Sequence, residues 1–230
     1  MPKSARPRAG LPIIVLCFCG AVLLLLPGLA FAAALMQPDM LLVAHGSSGA
    51  VPAVCLHQGS VGFSRGSYSI LHPGTNDSAY QLLAHLDQMG CQEIDCIFVP
   101  ALAAPMRSLE VYLKRKPVKS CMLLGKASSE KRLQDTTAGL LFAGVNTQHL
   151  GKMQRQQWSE TSHPWQIEWQ RLENADLKQT FKMNAKPWKV ELLNQKNGAF
   201  VLKYASENGT CLEKQFPRSN HAQIWKHKLK

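Results

Sequence analysis

Residues 77–124 read DSAYQLLAHLDQMGCQEIDCIFVPALAAPMRSLEVYLKRKPVKSCMLL. In residues 77–89, Tyr80, Leu82, Leu83, Leu86 and Met89 fall at helical spacing behind Asp77, an N-cap candidate, and Gly90 follows as the residue that ends the helix. Residues 94–99 (IDCIFV) are an apolar run of strand length closed by Pro100. Residues 106–114 predict a second helix, and residues 118–124 (VKSCMLL), after Pro117, a further strand. Strands alternating with helices across connections of a few residues imply parallel pairing, because a parallel neighbour is reached only by a crossover. This stretch fixes the class as α/β, or α+β for the chain as a whole.

Outward from it the pattern is all strand. Upstream, residues 41–44 (LLVA) and 51–56 (VPAVCL) flank the turn-rich residues 45–49, and Gln58-Gly59 is a hairpin-type turn. Residues 60–71 (SVGFSRGSYSIL) alternate apolar and polar around Gly66 and predict two more strands. From about residue 140 the character changes, with strands expected at 145–150, 165–172, 188–193 and 199–205. Asn197-Gly198 between the last two is a strong hairpin signal. Residues 37–230 have the length of one domain with a real core.

The N-terminus is of another kind. Residues 1–10 carry Lys3, Arg6 and Arg8 and no acid, and residues 11–36 run for 26 positions without a charge. A bilayer core needs roughly 20 apolar residues in a helix, so this run can span, with the N-terminus in the cytoplasm and the domain outside. The alternative is a signal peptide, since residues 23–26 (LLLL), Pro27-Gly28 and Ala30-Phe31-Ala32 resemble a hydrophobic region with a small-residue cleavage site. Either way the chain works at or across a membrane.

The net charge of +11 is uneven: residues 37–100 hold one base and five acids, residues 101–230 hold 22 bases and 10 acids. Such asymmetry suits either a nucleic-acid or anionic-lipid surface or an ordinary lysine-rich solvated face. Cys55, Cys91, Cys96, Cys121 and Cys211 show no paired metal spacing, and the first, third and fourth sit in strand-like runs as small hydrophobes. The loop His45-Gly46-Ser47-Ser48-Gly49 lacks both the nucleophile-elbow spacing and the lysine of a phosphate loop, so it reads as a turn. The eight histidines include no close pair at metal-ligand spacing. Trp165 and Trp169 alternate as strand residues and predict sheet packing rather than base stacking.

Over most of residues 39–204 the order of elements resembles the metallo-β-lactamase-like domain at the C-terminus of the ComEC family, the inner-membrane channel proteins of bacterial DNA uptake. In that family a strand ends in an Asp-Thr-Gly-like turn, where this chain has residues 68–74 (YSILHPG). A helix ending at glycine follows, then a strand matched by residues 90–100 (GCQEIDCIFVP). The family's metal signature, H-x-H-x-D-H, comes next, and its positions fall here on Ala101, Ala103, Pro105 and Met106. Residues 117–124 and the hairpin 189–204 resemble later pieces of the domain. Alanine, proline and methionine supply neither the imidazoles nor the carboxylates a binuclear hydrolytic site needs. The resemblance therefore implies a degenerate αββα sandwich after one transmembrane helix, with no metal, no cofactor and no catalytic activity. It implies a structural or DNA-guiding role outside the bacterial inner membrane, with the membrane, DNA and a channel subunit as partners. Candidate DNA contacts are Lys114, Arg115, Lys116, Lys119, Lys126, Lys131 and Arg132. The alternative is a periplasmic or secreted envelope binding protein, cleaved after Ala32 and without a DNA role.

Overall fold

The computed structural model describes residues 39–46, 51–59, 66–125, 130–150, 154–158, 165–171, 177–183, 188–195, 199–206, 209, 211–216 and 222–229. The basic leader 1–10 and the apolar segment 11–36 lie outside them, and among the described residues no helix is long and apolar enough to cross a membrane. The chain is a mixed α/β protein. Its elements run β1 (Met40–His45), β2 (Ala53–Gln58), β3 (Ser67–His72), α1 (Asn76–Gln88), β4 (Ile94–Pro100), α2 (Ala103–Arg115), β5 (Val118–Leu124), α3 (Glu130–Phe142) and β6 (Asn146–Leu150). There follow β7 (Gln154–Trp158), β8 (Trp165–Arg171), β9 (Leu177–Met183), β10 (Trp188–Asn194), β11 (Phe200–Ser206), β12 (Cys211–Phe216) and β13 (Gln223–Lys228).

Sheet I has seven strands in the order β13-β1-β2-β3-β4-β5-β6. Its β13, β1, β2 and β3 pair antiparallel, and β3, β4, β5 and β6 pair parallel through α1, α2 and α3. The three crossovers all step the same way along the sheet. Crossovers share one hand, so the three helices fall on one face. Ala79, Leu82 and Leu86 of α1, Met106, Leu109 and Tyr112 of α2 and Leu140 of α3 accordingly share a core with Leu42, Cys55, Ile70, Ile97, Val99 and Cys121. The opposite face is left to sheet II, an antiparallel meander in the order β12-β11-β10-β9-β8-β7. There Leu41, Val43, Leu56, Phe98, Met122 and Leu124 meet Ile167, Phe181, Val190, Leu192, Leu202 and Tyr204, with the Phe98 and Phe181 rings 5.1 Å apart. Cover on both faces explains why β1, β2, β4 and β5 are near-continuous apolar runs. The layers are thus helix, sheet and sheet; the second helix layer of the expected αββα sandwich is absent among the described residues.

Local chemistry sets the boundaries. Helix α1 is capped by Thr75, whose backbone N–H donates to Ser78 Oγ at 2.8 Å. The expected N-cap, Asp77, sits instead inside the first turn, where its charge suits the helix dipole. Gly90 does end the helix: at φ +75° it donates to Asp87 O, while Cys91 N–H reaches back to Leu86 O. Helix α2 starts three residues before the expected 106. The expected strand 118–124 is β5.

Three expectations are corrected. Helix α3 was not anticipated, and it makes the strand at 146–150 the fourth parallel strand of sheet I rather than the first of the β half. Strands β7, β9, β12 and β13 were not anticipated either. The second strand begins at Ala53, not 51. Of the two strands expected over 60–71, β3 is observed, and residues 60–65 lie outside the described residues. The five cysteines of the domain are free thiols, with Cys55, Cys91, Cys96 and Cys121 buried and Cys211 exposed.

The seam between the sheets fixes an expected outcome. Phe98 is fully buried against Phe181, so Phe98→Ala costs about 3–5 kcal/mol in urea unfolding. Leu141→Ala, on a side chain 76% exposed, changes stability by less than about 0.5 kcal/mol. Equal costs for the two variants would contradict this layering.

Candidate functional site

In α/β sheets with parallel strands, ligands bind beyond the carboxyl ends of the strands. Strands β1, β3, β4, β5 and β6 run the same way here, so their ends define an exit rim carrying His45, His72, Pro100, Leu124 and His149. Ala101, Ala103, Pro105 and Met106, the positions singled out by the sequence resemblance, follow β4 on this rim.

Two histidines turn inward at the rim. The pairing of β2 with β3 shifts between Val54 and Cys55, so that Val54 faces His72 while Cys55 faces Ile70. This bulge, a device that re-aims side chains, brings His72 onto the face toward sheet II, with its ring edge-on to Phe200 at 5.7 Å. Gly74 N–H donates to His72 Nδ1 at 3.0 Å, so the neutral ring keeps its proton on Nε2. Burial lowers its pKa to about 4, against a weaker opposing hydrogen bond to the Pro52 backbone. His45 packs its ring against Phe216 at 5.0 Å, and burial lowers its pKa too.

The loop after β3 is stitched down. Ser108 Oγ of α2 lies 2.9 Å from both Gly74 O and Pro105 O, and Tyr112 Oη donates to Pro73 O at 3.2 Å. Gly74 sits at φ +71°, and a Cβ there would lie 2.2 Å from Ser78 Oγ and 2.6 Å from Ala53 N. Gly46 has a similar constraint, with a Cβ meeting Asp77 Cβ at 2.5 Å. The first turn of α1 therefore fills the space beyond β1 and β3.

After β4, Ala101 is buried and its N–H donates to Leu124 O at 2.7 Å. Ala103 is half-buried, and Pro105 and Met106 are buried. These side chains do not fit a hydrolytic metal centre: two methyl groups, a pyrrolidine and a thioether give no hard anionic or imidazole donor. Among the described residues, no three histidine, cysteine, aspartate or glutamate side chains are grouped so as to hold an ion. On the helix side, α2 and α3 enclose a groove of about 720 Å³ lined by Met106, Leu109, Leu113, Phe142 and Ala143, with Glu110 and Asp135 at its wall. Among the described residues, no histidine or cysteine lines it.

The candidate DNA contacts are only partly gathered. Lys114, Arg115, Lys116 and Lys119 stand together at the opposite, entry rim, where β4 and β5 begin and α2 ends. Each has a local partner. Lys114 lies 3.7 Å from Glu110, and Arg115 lies over the Tyr80 ring at 5.9 Å. Lys116 pairs with Asp87 and donates to Cys91 O at 2.5 Å. Lys119 lies 2.6 Å from Asp95 and 3.0 Å from Glu93, and these hydrogen bonds raise its pKa. A phosphate would have to compete with those carboxylates. Lys131 is exposed near the start of α3, toward the exit rim. Lys126 and the side chain of Arg132 lie outside the described residues.

A second set of cations is on the outer face of sheet II. Lys182 and Lys189 are register partners, Lys203 stands across from Glu191, and Lys178 is one strand away. Lys178 and Lys189 pair with Glu191, and Lys203 with Glu213 at 2.9 Å. Burial raises the Glu191 pKa, but the lysine hydrogen bonds outweigh it and hold the carboxyl below its ordinary value. The alternation in residues 177–183 (LKQTFKM) and 188–191 (WKVE) carried the signal for this lysine face.

Comparison with protein-family models, with curated proteins and with solved structures returns no match.

The inward histidines give a pH dependence with a definite sign. A base whose folded pKa is depressed binds its proton more readily when unfolded, so its stability contribution is full above pH 6.5 and falls as pH drops toward about 4. For His72 the loss is on the order of 3 kcal/mol. His72→Asn keeps an acceptor for the Gly74 N–H and does not titrate. Urea midpoints between pH 8 and 4 should show a slope smaller in the variant by one proton; an unchanged slope would mean His72 is not held neutral.

Proposed function

We propose that this chain is a membrane-tethered, non-catalytic relative of the metallo-β-lactamase-like domain of the ComEC family, outside a bacterial inner membrane, with a structural or DNA-guiding role. The observation that carries the reading is the build of sheet I. An antiparallel opening, β1 to β3, passes into a parallel run, β3 to β6, with helices on one face and an antiparallel sheet on the other. That order supports the resemblance for those layers, and residues 101–106, on which the resemblance puts the family's ligand positions, follow β4. Ala101, Pro105 and Met106 are buried there, Leu102 and Ala103 are half-buried and Ala104 is exposed, and none of the six carries an imidazole or a carboxylate. A domain that retained the scaffold but lost the donors would act through its surfaces.

The tether is supported by the charge-free run 11–36 behind a basic leader. The DNA-guiding role is supported by the excess of bases after residue 100 and by the lysine face of sheet II. Binding of this kind comes from phosphate contacts and the release of counterions.

Titration of the full chain, in detergent, onto a labelled DNA duplex tests the reading. Four phosphate contacts give a slope of log K against log salt near −4, so affinity falls about 10²-fold between 50 and 200 mM salt. Lys182→Glu and Lys189→Glu together should flatten that slope by about two contacts. No binding at 50 mM salt, or binding insensitive to salt, would contradict the DNA-guiding role.

A further inference from the structure

The topology of sheet I gathers a set of features at its entry rim that the reading above does not use. Strand β1 starts there, and each crossover helix runs against the strands and so ends there. Asp39, the end of α2 and the end of α3 therefore share one side of the sheet. At the end of α3, Leu141 is 76% exposed and Phe142 is 96% exposed. They are adjacent, and the other described large hydrophobic with high exposure, Tyr80, is covered in part by Arg115.

We propose that this rim rests on the bilayer surface, with Leu141 and Phe142 seated at the boundary between lipid headgroups and acyl chains. The inference rests on the reading of residues 11–36 as a retained membrane anchor. Asp39 lies three residues beyond Met36, a stretch of about 11 Å at most, so the rim that contains Asp39 is held close to the membrane by the chain itself. Strands β1 and β6 are five positions apart in sheet I, or about 24 Å. The anchor thus holds one end of the rim, and the apolar pair, just before β6, occupies the other. A single tether leaves a domain free to swivel, and a second contact at that distance fixes its orientation. Lys114 and Arg115, at the end of α2 on the same rim, have stems long enough to follow the apolar surface while their charges stay among the headgroups. Seated this way, the exit rim and its loops point away from the membrane.

The full chain in phosphatidylcholine vesicles, with or without nitroxide-bearing lipid, tests this. A bimane label is attached at Phe142→Cys or, on the opposite rim, at the exposed Asn76→Cys, in a background lacking Cys17, Cys19 and Cys211. Emission at position 142 should be blue-shifted and quenched at least about twofold by the nitroxide lipid, as for a side chain some 5–10 Å into the interface, while emission at position 76 is unchanged. No quenching at either position, in chain that stays with the vesicles after a carbonate wash, overturns the docking and leaves the anchor standing. Release of the chain by the wash overturns both. A blue shift at 142 that follows protein concentration and ignores the nitroxide lipid assigns the pair to a contact between copies, and also overturns it.

Discussion

Everything in this fold depends on one constraint: the crossovers between β3 and β6 all step the same way. With a fixed hand, they commit α1, α2 and α3 to one face of sheet I. The bare face is as apolar as the covered one, because Leu41, Val43, Leu56, Phe98, Met122 and Leu124 point to it. It must be buried, and sheet II, built from β7 to β12 between Gln154 and Phe216, does so. Burial of apolar surface is worth about 25 cal/mol per Å², and the central strands collect it on both sides. The backbone polar atoms of those strands are satisfied by the ladder itself, and Cys55, Cys96 and Cys121 sit among them as buried free thiols whose pKa values burial raises.

The same packing draws the described residues beyond β1 and β3 tightly together. A parallel sheet normally leaves a crevice beyond its strand ends. Here the first turn of α1 presses on Gly46 and Gly74, and Ser108 and Tyr112 fasten the loop after β3 to α2. The bulge that turns His72 inward removes from the rim a group able to bind or transfer a proton near neutral pH, and burial keeps it uncharged. Charge faces solvent in two places, a lysine face on sheet II and paired cations on the entry rim.

The sequence made some of this legible and hid the rest for identifiable reasons. Residues 118–124 and 94–100 are short apolar runs between prolines and turns, and the strands there match the expectation closely. Helix α3 was hidden because little of it is amphipathic. Leu140 is its fully buried hydrophobe and Leu133 is half-buried, while Thr136, Thr137 and Gly139 lower its helix propensity. Its loss displaced β6 from the parallel sheet. Strands β12 and β13 (CLEKQF, QIWKHK) are edge strands with at most one covered face, and they are rich in polar residues. The return of β13 to pair with β1 joins residues nearly the whole domain apart, and no local pattern encodes that. The inward turn of His72 depends on a one-residue bulge, which alternation alone cannot place.

Native-state hydrogen exchange tests the central constraint most directly. If sheet I is sealed by helices on one face and by sheet II on the other, the amides of Cys55, Ile97 and Cys121 exchange only through global unfolding, with a protection free energy equal to that from urea denaturation. Amides of β12, at an edge of sheet II, exchange through smaller openings. Exchange at Ile97 as fast as at Glu213 would contradict the layered arrangement on which the burial of His45 and His72 rests.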